Sequence, residues 1–174
     1  MNHVRTYDYL VQSRKRVFDG VRTLTPAQYE QEFPIGLGTI ARTLTHIMIS
    51  EWYYVQRILH KDVPAYETWP IQDESPPAFD ILESTWTAQA DDIAREFSIL
   101  NDWSERVVFR PEHRDGPRTE VISTEGDMFM QLFQHEVHHR AQVLNMLRHC
   151  GVTVDGLDYS TIMFTRRTLD DDED

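Results

Sequence analysis

Three histidines fall within one pentapeptide, His135-Glu136-Val137-His138-His139. On an α-helix, residues four apart lie about 40° around the axis and about 6 Å along it, so the rings of His135 and His139 can reach one ion together. His138 lies on the same side of the helix but is displaced in the opposite direction. The spacing therefore predicts two histidine ligands for one metal ion, and leaves open whether His139 or His138 is the partner of His135.

A third ligand is needed, because a catalytic zinc ion commonly has three protein ligands and an open position for water. His46 is the candidate. It lies in the middle of a predicted helix beside Leu44 and Ile47, where an unpaired imidazole would be costly to bury. The alternative for His46 is a core histidine with an ordinary hydrogen-bond partner. Three imidazoles suit Zn²⁺, Ni²⁺, Cu²⁺ and Fe²⁺ alike, so spacing does not identify the ion.

The same pentapeptide matches the H-E-x-x-H motif of zinc proteases, in which Glu136 would be the general base. The metzincin extension would require glycine and histidine where this chain has Gln142 and Asn145, and the only glutamate after His139 is Glu173. A di-iron bundle would need a second Glu-x-x-His element, which the sequence lacks. A single-ion site that is not a protease is therefore favoured.

Apolar residues recur at intervals of three and four over four long segments, which predicts four amphipathic helices. His46 would lie in the second helix and the pentapeptide in the fourth. Residues 61–78 contain four prolines and predict a long ordered connection. A capping pattern at 25–28 predicts a short helical start, and 159–164 one further turn. The four helices are expected over residues 4–24, 39–60, 79–100 and 125–149.

Residues 103–124 differ from the rest and predict a short β-ribbon or extended loop around Asp115-Gly116-Pro117. Because each apolar helical stripe needs a partner face, the expected fold is all-α: a four-helix bundle with a long connection between helices two and three and this insertion before helix four. The chain is predicted to form one domain over 1–168, followed by an acidic, disordered tail at 169–174.

The composition excludes several classes of function. The chain of 174 residues carries 17 basic and 29 acidic side chains, a net charge of −12, which disfavours direct binding of nucleic acid. No apolar run approaches the roughly 18 residues of a membrane span, and no signal peptide is recognisable. Cys150 is the only cysteine, so no internal disulfide can form. A cytoplasmic protein that does not interact with membranes is expected.

Three spaced elements occur in order along the chain: Thr43-Leu44-Thr45-His46, His135-x3-His139-Arg140-x-Gln142 and Met146-Leu147-Arg148-x2-Gly151. Together they resemble the DinB family of metal-dependent proteins. The resemblance covers almost the whole chain and includes a glycine-containing segment before helix two and the Asp158-Tyr159 pair after helix four.

This resemblance implies a DinB-like four-helix bundle with one divalent ion per chain, held by His46, His135 and His139. It thereby decides against His138, which spacing alone could not. Zn²⁺ is the expected ion, with Ni²⁺, Fe²⁺ or Mn²⁺ as alternatives. The resemblance also implies a homodimer, and the family's relatives include bacillithiol transferases and mycothiol-dependent maleylpyruvate isomerases.

The functional hypothesis is an enzyme in which the ion activates a low-molecular-weight thiol, as in an S-transferase, or a water molecule, as in a hydrolase, for attack on a small-molecule substrate. The alternative from another class is a non-catalytic, stress-associated bundle whose histidines stabilise the fold. Gln142 and Tyr53 each lie seven residues from a predicted ligand. Gln142 is expected to hydrogen-bond either to a ligand or between helices. Tyr53 faces the site and either offers its hydroxyl to the substrate or, as is commoner, packs in the core. Arg140 is interpreted as a surface ion pair, and Glu136 is expected to point away from the ion.

Overall fold

The computed structural model describes residues 1–111 and 119–167. Within them the chain is mostly helical, with one small two-stranded sheet. A 3-10 turn at Tyr66–Thr68 lies in the proline-containing connection predicted at 61–78. The elements in chain order are α1 (His3–Val21), α2 (Pro26–Tyr29), α3 (Ile40–Ile58), α4 (Phe79–Ile99), β1 (Arg106–Phe109), β2 (Val121–Thr124), α5 (Glu125–His149) and α6 (Tyr159–Met163).

The helices begin where side chains can satisfy their free N–H groups. The side chain of Thr39 accepts a hydrogen bond from the Arg42 amide, and that of Thr124 accepts one from Asp127. Thr25 and Gln28 form the predicted capping box at α2. The four long helices and both short ones are thus confirmed. The predicted helix that contains His46 is α3, and the one that contains the histidine pentapeptide is α5.

The four long helices pack against one another through two adjoining clusters of buried side chains. The most extensive contact joins α3 to α5; α1 packs on both α4 and α5, and α4 also packs on α3. This arrangement holds the two histidine-bearing helices side by side. Fully buried members of the clusters include Leu10, Ile40, Ile47, Ile58, Leu82, Trp86, Phe97, Phe129, Leu132 and Leu147.

The predicted β-ribbon is present. β1 and β2 pair antiparallel, with Val108 opposite Ile122. The predicted connection between α3 and α4 is ordered, since it contains the 3-10 turn and a bridge between Gln72 and Ser75. The expected turn at 115–117 and the expected tail at 169–174 lie outside the described residues. No helix in the described ranges is long and apolar enough to cross a membrane.

A network of buried charges ties the four long helices together at their centre. Arg14 of α1 pairs with Glu51 of α3 and with Glu136 of α5, the latter at 2.6 Å. The indole of Trp86 on α4 donates to Glu51 at 2.8 Å, and the Arg14 guanidinium lies 3.9 Å from the centre of the Trp86 ring. All three charged side chains are at most 5% exposed. Sequence patterning identified none of this network.

Arg140 also belongs to this interior region, and its interpretation as a surface ion pair is wrong. The residue is only 6% exposed. Its guanidinium donates to the Tyr9 hydroxyl at 3.0 Å and to the Ser13 hydroxyl, and lies 3.6 Å from Glu136. Spacing could not reveal this, because an arginine at an interhelical position looks the same in sequence whether it meets solvent or polar partners on a neighbouring helix.

Candidate metal centre

His46, His135 and His139 lie together at the contact between α3 and α5. The Nε2 atoms of His46 and His135 are 3.1 Å apart, and each of the three rings offers a nitrogen within 4.8 Å of the others. The ring centroids are separated by 4.5 to 5.0 Å. All three side chains are partly exposed. The site is therefore neither sealed in the core nor spread on the surface.

Asp73 orients the ring of His46. Its carboxylate lies 2.8 Å from His46 Nδ1, so Nδ1–H donates to the carboxylate and Nε2 keeps its lone pair facing His135. The Tyr66 hydroxyl is shared between Asp73, at 2.5 Å, and Glu74. Sequence reasoning missed Asp73, because it lies in the proline-rich connection where no periodicity predicts which side chains turn inward. The only signal was a carboxylate in an ordered loop.

Gln142 does the same for His139. Its amide oxygen lies 2.9 Å from His139 Nδ1, which leaves His139 Nε2 unprotonated when Nδ1 donates. The amide NH₂ of Gln142 in turn lies 3.0 Å from His138 Nε2, which accepts. Gln142 thus contacts one of the three histidines, and its support of a bound ion stays a prediction. His138 is turned toward this glutamine, and its ligand atoms are not among those that meet at the cluster.

The environment favours the neutral forms of His135 and His139. Burial, and then the nearby His139, His46 and His138, lower the pKa of His135 from 6.5 to about 3. Burial also lowers the pKa of His139, although its hydrogen bond to Gln142 opposes the change. Burial alone would raise the pKa of the Asp73 carboxyl, but hydrogen bonds from Tyr66 and His46 outweigh it and hold that pKa below its usual range. Metal binding requires histidine ligands that are neutral, as His135 and His139 are here.

The donor set fits one divalent ion. Two nitrogens that each lie about 2.0–2.1 Å from a tetrahedral Zn²⁺ are separated by roughly 3.3 Å, close to the 3.1 Å between the His46 and His135 Nε2 atoms. Two of the three rings have an acceptor on Nδ1, the usual support for a metal-binding histidine. Neutral imidazoles, a suitable separation and fixed tautomers therefore occur in the same place.

Glu136 has no role at this cluster. It is 3% exposed and is held by Arg14 on the interior side of α5. Burial is the main influence on the Glu136 carboxyl and raises its pKa, and the opposing charge of Arg14 does not fully compensate. The expectation that Glu136 points away from the three histidines agrees with these contacts. The general base of an H-E-x-x-H protease would have to break this pairing to act.

Tyr53 packs in an aromatic group, with ring centroids 5.5 Å from Tyr54, 6.2 Å from Trp69 and 6.2 Å from Phe109. Its neighbour Tyr54 is the tyrosine whose ring contacts His135, at 5.7 Å. A supporting role for Tyr53 at the ion stays a prediction. Its observed contacts instead place it in a cleft beside the histidine cluster.

A second group of possible ligands, His60, Glu105 and Glu125, lies at the other end of α3. His60 Nε2 is 2.9 Å from the buried carboxylate of Glu125, while Glu105 lies 3.8 Å away and is 70% exposed. The Glu125 amide also donates to the Glu105 carbonyl at 3.0 Å. These contacts fix the end of α3 to the start of α5, and we interpret the group as structural.

Gly36 lies against Gln142, which gives the loop before α3 a role at the site. Gly36 has φ of +53°, and a Cβ there would be 2.2 Å from the Gln142 amide oxygen. We expect Gly36→Ala to push Gln142 away from His139 and to weaken zinc binding by about tenfold, the loss typical when such a supporting hydrogen bond is removed. Competition with a chromophoric chelator measures the affinity.

Gly38→Ala is the matched control for this variant. Gly38 is in the same loop with φ of +93°, but nothing lies within 4 Å of a Cβ there. Both variants place alanine in the left-handed region and share that cost, about 1–2 kcal/mol. Equal zinc affinities for the two variants would contradict the proposed contact.

The lowered pKa of His135 predicts acid sensitivity of the metal-free protein. Between pH 6.5 and about 3 the unfolded chain binds a proton at His135 that the folded chain does not. The free energy of unfolding therefore falls as the pH falls through this interval. Urea titrations at a series of pH values measure the free energy of unfolding. Its dependence on pH should be shallower for His135→Gln than for the parent protein, by the equivalent of up to about one proton. An unchanged slope would contradict the assignment.

Comparison with known proteins identifies the family and agrees with the fold. The family model described as "DinB family" matches residues 1–171, and the chain belongs to the DinB family. Protein DinB of Bacillus subtilis (strain 168) is 21% identical over 174 residues, covering 94% of this chain and 95% of that protein. A crystal structure of a DinB-like protein from Bacillus cereus ATCC 10987 has a TM-score of 0.56 at 17% identity, covering 84% of this chain and 94% of its own.

Proposed function

We propose that this protein is a mononuclear metal-dependent enzyme whose three-histidine site activates a low-molecular-weight thiol, with S-transferase-like chemistry. The observation that carries the proposal is the meeting of three imidazoles, two of them with Nδ1 bonded to an acceptor, at a partly exposed position. Partial exposure matters, because a purely structural site is normally closed by a fourth protein ligand. Membership of the DinB family supports the proposal.

The proposed ligands are His46, His135 and His139, with Zn²⁺ as the preferred ion and Ni²⁺, Fe²⁺ or Mn²⁺ as alternatives. Such an ion, when bound, lowers the pKa of a coordinated thiol or water. Asp73 and Gln142 each hold a proton on the Nδ1 of one histidine, and so keep Nε2 available and the rings fixed.

The test presents bacillithiol, mycothiol, glutathione or cysteine together with a chromogenic halodinitrobenzene. In the reaction the sulfur forms a bond to the aromatic carbon, the halide leaves and the thiol proton passes to solvent. Zinc-loaded protein should accelerate the reaction above the rate of metal-free protein and of His135→Ala. Acceleration that persists in both controls would show that the three-histidine site is not responsible.

Two other functions predict different results in the same assay. If no thiol reacts above background but esters or amides are hydrolysed in a zinc-dependent manner, water is the activated group and the protein is a hydrolase. If fully metallated protein does neither, the non-catalytic, stress-associated bundle is the better assignment. The partly exposed histidines favour the catalytic alternatives. A cytoplasmic location belongs to the proposal, since free thiols are kept reduced there.

We further propose that the four long helices form a DinB-like four-helix bundle that assembles as a homodimer. Family resemblance supports both statements. An apolar cross-strand pair is also exposed, since Val108 and Ile122 face each other on the ribbon at 46% and 56% exposure. Sedimentation equilibrium at micromolar concentration should give about twice 20.5 kDa. A monomer across that range would contradict the dimer.

A further inference from the structure

Arg57 is a cation without a carboxylate partner among the described residues. Its guanidinium packs against two adjacent aromatic rings, 5.1 Å from the centre of Tyr53 and 4.7 Å from that of Phe109. Its Nε atom is buried and has no hydrogen-bond partner. In a chain with an excess of twelve negative charges, an arginine that contacts aromatic rings and pairs with no described carboxylate is an unusual arrangement. Its free donors can bind a planar anion.

Arg57 lies on the same face of α3 as the proposed ligand His46. The two residues are eleven apart, which is about 20° around the helix and about 16 Å along it. Helical side chains lean toward the N-terminus, and because arginine is longer than histidine, its guanidinium extends further in this direction, toward Tyr53 and the histidine cluster. Its stacking on Tyr53, one turn earlier, agrees with that direction. The anion position is thus on the order of 10 Å from the three-histidine site.

A cleft of about 550 Å³ extends from Arg57 toward the site. Arg57, Tyr53 and Trp69 line it together with Tyr66, whose hydroxyl bonds to Asp73, the partner of His46. The cleft therefore reaches a residue that lies two hydrogen bonds from His46. Its aromatic walls and its size suit an elongated small molecule.

We propose that this cleft binds a carboxylate of the substrate at Arg57, while the reactive end of the substrate lies at the three-histidine site. The inference rests on the proposed function and deepens it, because it restricts the substrate to molecules with a carboxylate on the order of 10 Å from the reacting atom. Tyr53 and Phe109 hold the guanidinium in place, and Arg57 sets specificity without touching the reacting atoms.

The surrounding charges favour a carboxylate over a phosphate. Glu67 and Glu74 also line the cleft, as does Asp62. Arg110, the other arginine of the cleft, is paired with Glu120 at 3.0 Å. These carboxylates repel any anion near Arg57, and they repel a phosphate monoester, which carries close to two negative charges at neutral pH, more strongly than a singly charged carboxylate.

The experiment uses matched probes that differ only in their carboxylates. Calorimetry on zinc-loaded protein compares S-methylglutathione with its diethyl ester, and needs no activated thiol. We expect the acid to bind more tightly than the ester, and Arg57→Met to reduce this preference about tenfold or more, the loss expected for one charge-assisted contact. Arg57→Lys should recover only part of it, because lysine lacks the planar fork.

Arg42→Met is the control for loss of one positive charge on α3, since Arg42 is exposed at the start of that helix. It should leave the preference unchanged. Equal binding of acid and ester, binding of neither, or a preference that survives Arg57→Met would overturn the inference. Displacement of S-methylglutathione by inorganic phosphate more readily than by acetate would assign the position to phosphate and also overturn it.

A kinetic comparison of glutathione with its diethyl ester, together with the binding experiment, separates this inference from the proposed function. If glutathione and its diethyl ester react at equal kcat/KM, the thiol chemistry stands and the carboxylate site at Arg57 is wrong. If neither reacts but S-methylglutathione binds in an Arg57-dependent manner, the carboxylate site stands and the transferase assignment is wrong.

Discussion

Replacement of His46, His135 or His139 by alanine should abolish stoichiometric binding of a divalent ion, whereas His138→Ala should retain it. The reason is geometric: the three rings offer nitrogens within 4.8 Å of one another, while the His138 Nε2 accepts from Gln142 instead. Two remaining imidazoles bind an ion much more weakly than three. Elemental analysis after dialysis against zinc, on protein purified without a tag that could introduce nickel, measures the stoichiometry.

His60→Ala is the matched control for these variants, because it removes a histidine from the structural pair with Glu125 at the other end of α3. It should keep one ion per chain. Circular dichroism establishes whether each variant remains helical. Metal retained in His46→Ala and lost in His138→Ala would show that the wrong three histidines had been assigned as ligands.

The prediction of helices succeeded because each one carries local signals that survive in sequence. α5 begins after Thr124, whose side chain caps Asp127, and its end is followed by Gly151 with φ of +81°. Apolar periodicity between such signals is fixed by the helical repeat and does not depend on the partner helix. His135 and His139 were identifiable for the same reason, since a spacing of four has one geometric meaning on a helix.

Residues that act across elements could not be found in this way. Asp73 reaches His46 from the irregular connection, and Gly36 makes room for Gln142 from the loop before α3. Both depend on how a segment without periodicity folds back onto a helix. The resemblance to a family selected His139 over His138, and the hydrogen bond between His138 and Gln142 gives a physical account of that choice.

The same limit applies to Arg14, which in sequence is one member of the interior stripe of α1. In the structure it is surrounded by two carboxylates from different helices, Glu51 and Glu136. Glu136 is adjacent to His135 in the chain, so the buried network and the three-histidine site use neighbouring positions of one helix. The network therefore fixes the rotation of α5 that directs His135 and His139 toward His46.

Loss of the Arg14 charge is expected to be among the most destabilising single changes in the protein. Arg14→Met leaves Glu51 and Glu136 buried without their principal counter-ion, and removing one partner of such a buried group typically costs about 3–5 kcal/mol. Urea denaturation of metal-free protein measures the loss. Arg22→Met is the matched control: Arg22 also pairs with two carboxylates, Asp19 and Glu83, but is half exposed, so its loss should cost about 1 kcal/mol or less.

The pH dependence of the Arg14→Met deficit distinguishes lost charge balance from lost packing. Without Arg14 the buried Glu136 carboxyl binds its proton more tightly in the folded than in the unfolded state, because burial already raises its pKa and the opposing charge of Arg14 is gone. The stability difference from the parent protein should therefore shrink as the pH falls from 8 toward 5. The triple variant Arg14→Met, Glu51→Gln, Glu136→Gln should recover part of the loss at pH 8. A deficit that is constant with pH and not reduced in the triple variant would mean that Arg14 stabilises the helices by packing on Trp86 and not by its charge.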